Sequence, residues 1–433
     1  MSGNPVEQWL TMDGRSPEEA RFYWSGGPIQ VAERTWFQSQ MSGVTAFETD
    51  EGLVLVDSGA KLFGPALADM VRSVTSAPVH TAIYTHGHID HGYGLQSFLI
   101  EGQKPPQVIA HRAIHDRYDR YIRTAGFNHA MNARQGGTVL EEGQDLPFNW
   151  GEPPAILPDT LYQESMTLEV GGLTFELHHC RGETDDHTWV YCRERRVLCP
   201  GDLFIWAVPN AGNPQKVQRY PSDWTHGLRE MAALRPESLC PGHGGPVVNN
   251  PDIIQRMLLE TASFLEAIVE RTLAVMNDGA PPHVDIVHGV KPPVSDSPWL
   301  QNIYDDAEFI VRNVIREYGG WFSGRPSELR PAPRLEVARV IAELAGGVQA
   351  LIRKCEELAA VGNYRLASHL ADYALEAAPG DPSVRSAVAD LYERRAETEI
   401  GLMAGNLYRT AAVYARTGRP FSQFNTTESK YSG

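Results

Sequence analysis

Positive charge is scarce in this sequence, and nowhere is it concentrated. Lys and Arg number 38 against 54 Asp and Glu, a formal net charge of −16. Such a field repels DNA and RNA unless a local basic patch offsets it, and no run of Lys or Arg supplies one. A nuclease is therefore the weakest functional reading. Long apolar runs are also missing: no stretch approaches the ~20 apolar residues of a membrane span. The opening MSGNPVEQWLTMDGRSPEEA has no basic start followed by an apolar core. No secretory signal is expected from it, and a cytoplasmic protein is. Cysteine is sparse: Cys180, Cys192, Cys199, Cys240 and Cys355, an odd number with no CxxC. Buried free thiols in a reducing compartment are expected, with zinc ligation by Cys180, which follows His178 and His179, as the alternative.

What the chain does have is size and one dense motif. Its 433 residues allow two or three domains, and 42% hydrophobic content supports a large core. Residues 85–91 read Thr85-His86-Gly87-His88-Ile89-Asp90-His91. Three histidines and a carboxylate within six positions are not what a core or a surface needs. His86 and His88 are two apart, so on an extended segment they point the same way, while Asp90 and His91 turn toward a neighbouring point. Imidazole and carboxylate are the ligands zinc takes where a coordination position stays open to water. The run can feed two adjacent metals.

The surroundings fit. Val79–Tyr84 is apolar and β-rich, and reads as a buried strand; the residues after Gly92 run into a short helix. A cluster at a strand end, before a helix, is where α/β proteins place their chemistry. From residue 28 to about 250, strands alternate with helices. Strands are expected at Ile29–Phe37, Val44–Thr49, Leu53–Asp57, Thr81–Thr85 and Val108–Ala110. Further strands are expected at Met166–Val170 and Leu173–His179, joined by Gly171-Gly172, then at Trp189–Cys192, Arg196–Cys199 and Glu237–Cys240. Helices are expected at Lys61–Ser73, Ala113–Thr124, Trp224–Ala233 and Ile253–Met276. Residues 126–165 are rich in Gly and Pro and read as a long loop. After the Pro-rich Pro281–Pro298, apolar residues recur at three- and four-residue spacing between Leu335 and Ala415. Cys355–Ala378 looks like one tetratricopeptide-type helix pair, which needs neighbours or a partner subunit to cover its apolar face.

Further candidates lie downstream. Asp202 follows Gly201 after a strand and is placed to bridge two cations; a turn Asp is the alternative. His243 sits in Pro241-Gly242-His243-Gly244-Gly245, where glycines let backbone approach a site. Asp57 ends an apolar strand and is the expected partner that orients a ligand from behind. Asp185 and Asp186 read as exposed acids of a turn.

The order Asp57, His86-x-His88-x-Asp90-His91, Asp202, His243 resembles the metallo-β-lactamase superfamily. That resemblance covers roughly residues 28–250 and implies an αββα sandwich with two metals at one edge. His88 stands where the oxygen-reducing diiron members carry Glu, which favours a hydrolytic zinc site. Nineteen residues before Asp202, where most members place a histidine, stands Glu183. A Glu there is similar to the alkylsulfatase (class III) branch. Val108-Ile109-Ala110-His111 and the segment Gly126–Arg134 look like that branch too. So do Glu317–Phe322, Gly346-Gly347 and Gly362-Asn363-Tyr364, which resemble its helical dimerisation domain.

The fold this implies is α/β: a metallo-β-lactamase sandwich followed by an all-α, tetratricopeptide-like dimerisation domain. The expected division is a catalytic domain over 1–280, a linker over 281–300, helices over 301–418 and a tail over 419–433. Carried over by position, the resemblance gives one metal to His86, His88 and Glu183 and the other to Asp90, His91 and His243, with Asp202 between them. Asp90 and Asp202 are the catalytic carboxylates. His187, four residues after Glu183, is its rival as ligand. Two Zn2+ per chain are implied, with other divalent metals as the variant.

Two such cations ~3.5–4 Å apart yield hydroxide from a bridging water at neutral pH and polarise the substrate. Leu203–Tyr220 runs from apolar rings to amides to cations, an order suited to a greasy substrate with an anionic head. Arg219 would grip a sulfate or carboxylate bidentately, with Lys216 as a point charge, Asn210 as an amide donor and Arg134 as a second anion contact. Alternatively, Phe204 and Trp206 are core and Arg219 pairs with Asp223. Two departures weigh against a long-chain alkyl sulfate. The family carries Glu-Asn where Gly201-Asp202 stands, and it carries a further lipid-binding domain for which the residues up to Gly433 leave no room.

The expectation is a dinuclear zinc hydrolase of a sulfate ester or similar small anionic ester, homodimeric through its C-terminal helices. Hydrolysis of a carboxylic ester, lactone or thioester on the same site is the first alternative. A non-catalytic dimeric scaffold is the second.

Overall fold

The computed structural model describes residue 22 and residues 24–138 and 148–417. The expected tail, 419–433, lies outside them. Two compact units form: residues 1–125 with 147–321, and residues 126–146 with 322–433.

The first unit is built on two sheets. Seven strands run in the order β1 to β7: Gly26–Ala32, Thr35–Gln40, Ser42–Thr49, Gly52–Val56, Val79–Ile83, Gln107–His111 and Thr160–Tyr162. β1 to β4 pair antiparallel, and β4 to β7 pair parallel. The second sheet runs β12-β11-β10-β9-β8, with β8 Ser165–Val170, β9 Leu173–His179, β10 Thr188–Cys192, β11 Val197–Ile205 and β12 Ser238–His243. Successive strand residues face opposite ways, and this explains the layering. On β4, Val54 and Val56 enter the core shared with Phe175, Leu177, Val190 and Cys199 of the other sheet. Leu53 and Leu55 turn instead to Leu67 and Val71 of α1 (Gly64–Arg72) and to Ile114 and Tyr118 of α2 (Ile114–Arg123). On β10, Trp189 and Tyr191 face away from the sheet interface, toward α4 (Pro221–Ala233) and α5 (Pro251–Asn277). The result is helix, sheet, sheet, helix.

One unit boundary differs from expectation. Residues 281–321 were expected as linker and first helices of a separate domain, yet they pack on the first unit. α6 (His283–Gly289) and α7 (Ala307–Tyr318) bring Ile286, Val287, Ile310 and Val314 into the same core as Trp299, Leu300 and Ile303. Asp305 Oδ2 accepts from the Gly212 N–H at 2.6 Å. The prolines interrupt helix periodicity there without making the segment solvent-bound.

The second unit is all helix. Ala125–Gln135, expected as loop, is a helix (α3) counted mostly with this unit. α8 (Pro326–Leu329) and α9 (Arg334–Leu344) precede α10 (Val348–Ala360) and α11 (Tyr364–Ala377), the expected helix pair. α12 (Pro382–Glu397) and α13 (Leu402–Thr417) follow. Ala367, Ala371 and Ala374 form a small-residue stripe on α11, buried against Leu351 and Cys355 of α10. Asn363 and Asp381 cap the next helices, each accepting from first-turn N–H groups. Among the described residues no helix is long and apolar enough to cross a membrane. All five cysteines are free and buried.

Candidate metal centre

The motif residues meet at one edge of the sandwich, at the ends of strands from both sheets. β5 delivers residues 85–91, the β9–β10 turn delivers Glu183, β11 delivers Asp202 and β12 delivers His243. Ligand atoms of His86, His88 and Asp202 lie within 4.8 Å of one another, and so do those of Asp90, His91 and His243. Asp202 joins the two groups: its Oδ1 is 3.3 Å from His91 Nε2 and its Oδ2 3.4 Å from His243 Nε2. Gly242 makes this approach possible, because a Cβ there would stand 2.0 Å from Asp202 Oδ1.

Outer hydrogen bonds set three of the four imidazoles, those of His86, His91 and His243. Asp57, in the left-handed region at φ 60°, accepts from Thr85 N–H at 2.8 Å, Thr85 Oγ1 at 2.7 Å and His91 Nδ1 at 2.8 Å. The proton thus sits on His91 Nδ1, and Nε2 faces Asp202. Thr85 Oγ1, having donated to Asp57, accepts from His86 Nδ1 at 3.0 Å, which leaves His86 Nε2 as a lone-pair atom 2.9 Å from His88 Nδ1. His243 Nδ1 donates to the Met41 carbonyl at 2.7 Å and so turns Nε2 inward. Asp57 thus links Thr85 and His91 from behind, as partners that fix ligand tautomers do.

Glu183 is buried beside this cluster, its Oε1 3.7 Å from His88 Nδ1. The same oxygen accepts from Asn210 Nδ2 at 2.7 Å and pairs with Arg219 Nη1 at 2.5 Å. His187 is arranged otherwise. Its Nε2 accepts the Asp202 backbone N–H at 3.1 Å, and its ring stacks on His86. Its lone pair is already used beneath the site.

The electrostatics describe a cavity that asks for positive charge. Burial, then the neighbouring His91, His88 and His187, hold His86 far below the ordinary imidazole value. Burial, Arg117 and Arg219 do the same for His88. Both are therefore neutral, as ligands must be. Burial works against charge on His243, yet Asp202 and Asp90 raise it to about 9. Burial is likewise overruled at His91, where Asp202, Asp90 and Asp57 raise it well above normal. Burial lifts Glu183 to about 7 despite Arg219. Protons thus occupy the places where cations would balance Asp90, Asp202 and Glu183. His91 Nε2, Asp202 Oδ1 and Glu183 Oε2 are buried and make no hydrogen bond. This donor set, inward imidazole N and carboxylate O atoms with protons standing where cations would, fits two divalent cations.

The remaining candidates fall differently. Arg219 does not pair with Asp223, which takes Arg181 at 2.6 Å; Arg219 and Asn210 both serve Glu183. Lys216 places Nζ 4.8 Å from the Trp150 ring centre, and Trp150 in turn meets the His88 ring edge-on at 6.3 Å. Burial and the Arg219 charge lower Lys216 to about 7. Phe204 and Trp206 are core, as the alternative reading had it. Arg134 lies on α3, its carbonyl accepting from Thr410 Oγ1 at 3.2 Å within the helical unit. Asp186, expected as an exposed turn acid, is buried because Arg117 and the Gly87 N–H claim its two oxygens. Cys180 is in neither candidate metal group; its thiol donates to the Asp223 carbonyl at 3.4 Å.

Three aromatic residues near the site escape the sequence reading. Phe22 stacks on Tyr304 at 4.7 Å and lies against His243 at 5.2 Å, and Trp150 covers His88. Each sits outside a periodic segment, and no spacing signal marks it.

Comparison with known proteins divides the chain earlier, near residue 283, inside the first unit. Residues 40–243 match the family model described as the metallo-beta-lactamase superfamily, and residues 283–418 the one described as alkyl sulfatase dimerisation. A linear primary-alkylsulfatase of Pseudomonas sp. (strain ATCC 19151) is 26% identical over 84% of this chain and 72% of its own length. An (R)-specific secondary-alkylsulfatase of Pseudomonas sp. is 24% identical over 88% of this chain and 60% of its own. A solved stereoselective inverting sec-alkylsulfatase from Pseudomonas sp. shares the fold, with a TM-score of 0.79 over 90% of this chain and 66% of that one, at 22% identity. The chain thus spans 60–72% of the length of these two curated relatives.

Proposed function

We propose that this chain, whose residues 40–243 match the metallo-beta-lactamase superfamily model and residues 283–418 the alkyl sulfatase dimerisation model, is a dinuclear, zinc-dependent hydrolase of sulfate esters. The observation that carries the proposal is Glu183 beside His86 and His88, opposite Asp90, His91 and His243, with Asp202 between. His86, His88 and Glu183 would hold one cation and Asp90, His91 and His243 the other, with Asp202 placed between the two groups. Two zinc ions so held supply Lewis acidity and a water of lowered pKa. Asn210 and Arg219 aim Glu183 rather than substrate. Lys216, on the Trp150 face, is the cation that meets the anionic head of the ester. Phe22, Tyr304 and Trp150 give the mouth apolar area for the organic part.

The alkylsulfatase relatives favour sulfate over carboxylic esters, lactones and thioesters as the hydrolysed group. The chain acts as a homodimer through its helical unit, where α9 exposes Leu335, Val337, Val340 and Leu344. The test is release of inorganic sulfate from a series of short primary, secondary and aryl sulfates, beside matched carboxylic esters, with zinc-loaded and chelated chain. Zinc-dependent sulfate release is expected. Turnover of carboxylic esters alone would refute the sulfate assignment.

A further inference from the structure

The mechanism above leaves one buried charged network unused, and it lies directly behind the His86–His88 turn. The Gly87 N–H points away from the ligand atoms and donates to Asp186 Oδ2 at 2.8 Å. Asp186 Oδ1 lies 2.9 Å from Arg117 Nε as an ion pair not aligned for a hydrogen bond, and both side chains are almost fully buried. Arg117, on α2, also reaches Asp185 and donates to the Tyr121 hydroxyl at 3.1 Å. The turn packs on this pair: a Cβ at Gly87 would stand 3.0 Å from Arg117 Cδ and 3.2 Å from Asp186 Oδ2.

Asp186 is three residues from Glu183, in a loop closed by Gly182 N–H to Thr184 O at 3.0 Å and Cys180 N–H to His187 O at 3.0 Å. One carboxylate therefore ties together the two loops that carry His86, His88 and Glu183. A buried ion pair is a poor stabiliser, because desolvation offsets most of its attraction; fixing geometry is its better-attested use. We propose that Asp186 and Arg117 are positioning residues that lock the His86–Gly87–His88 turn to the Glu183 loop and so set the affinity of one metal of the pair. This inference rests on the ligand set proposed above.

The test measures zinc affinity of the full chain by competition with a chromophoric chelator, together with circular dichroism and melting of the metal-free protein. Wild-type protein that binds no zinc would refute the ligand set itself, and the inference with it. Given two zinc ions in wild type, Asp186→Ala is expected to weaken one of them roughly 10–100-fold and leave the other within a few-fold. Asp186→Asn, which still offers Gly87 an oxygen but no charge to Arg117, is expected to lose less. Should Asp186→Ala not fold, Arg117→Met and Asp186→Asn carry the same expectation of a loss confined to one zinc. Wild-type affinity at both zinc ions in the folded variants would overturn the inference while the ligand set stood. Equal weakening of both, matched by a fall in metal-free melting temperature, would also overturn it, because that is the signature of a merely structural pair.

Discussion

Asp57→Asn isolates the orienting bond behind His91. Asn tolerates the left-handed backbone at φ 60° and keeps an oxygen for the Thr85 N–H. Its amide nitrogen stands where the carboxylate accepted from Thr85 Oγ1 and His91 Nδ1. An amide NH2 donates and cannot accept, so His91 must move its proton to Nε2, the atom that faces the site. A hydrogen bond to a charged group contributes ~1.5–3 kcal/mol. At ~1.4 kcal/mol per factor of ten, that corresponds to roughly 10–150-fold in affinity for the metal held by Asp90, His91 and His243. The assay is chelator competition on chain stripped of metal and reloaded with zinc, with circular dichroism as the folding control. Asp57→Ala should fare worse, because it strands the Thr85 N–H and pushes Ala into a left-handed conformation costing a further ~1–2 kcal/mol. A folded Asp57→Asn variant that binds both zinc ions within twofold of wild type would refute the reasoning.

Other substitutions separate the roles. Glu183→Gln keeps an acceptor for Asn210 and Arg219 but drops the charge; zinc content should fall from two ions to about one per chain by elemental analysis. His187→Ala should keep both ions and lose ~1–3 kcal/mol of stability, because the buried Asp202 N–H loses its acceptor. Gly242→Ala forces a Cβ onto Asp202 Oδ1, and should cost ~1–3 kcal/mol or more in melting experiments as well as zinc binding. Metal-free protein should show the His243 proton directly. Its folded value, about 9, lies above the ordinary imidazole value of 6.5. Its contribution is therefore fully present below pH 6.5 and lost as pH rises through about 9, at most about 3–4 kcal/mol. The stability gap between wild type and His243→Asn, measured by urea unfolding without metal, should narrow over that window; a gap that does not change with pH would contradict the assignment.

Much of this site is legible in the sequence because its ligands come in one tight run and its strands are nearly all apolar. β4, β5 and β10 are buried on both faces, and a run such as Leu53–Val56 announces that. The hairpin at Gly171-Gly172 is equally clear, both residues taking positive φ. Other parts depend on tertiary partners. Ile29–Phe37 reads as one strand, but Arg34 takes a left-handed φ of 47° and folds it into two. α3 has little contrast between its faces and begins beside Gly126, so it reads as loop. Trp299, Leu300 and Ile303 find their core only after the chain turns back, which no local period reports. Asp186 reads as an exposed turn acid and Arg219 as a substrate clamp until Arg117 and Glu183, distant in sequence, take them inward.

Anomalous diffraction at the zinc edge from crystals of the zinc-loaded chain tests the central claim most directly. Two peaks ~3.5–4 Å apart are expected, one beside His86, His88 and Glu183, the other beside Asp90, His91 and His243, with Asp202 between. A single peak, or a pair in which His187 replaces Glu183, would contradict the account.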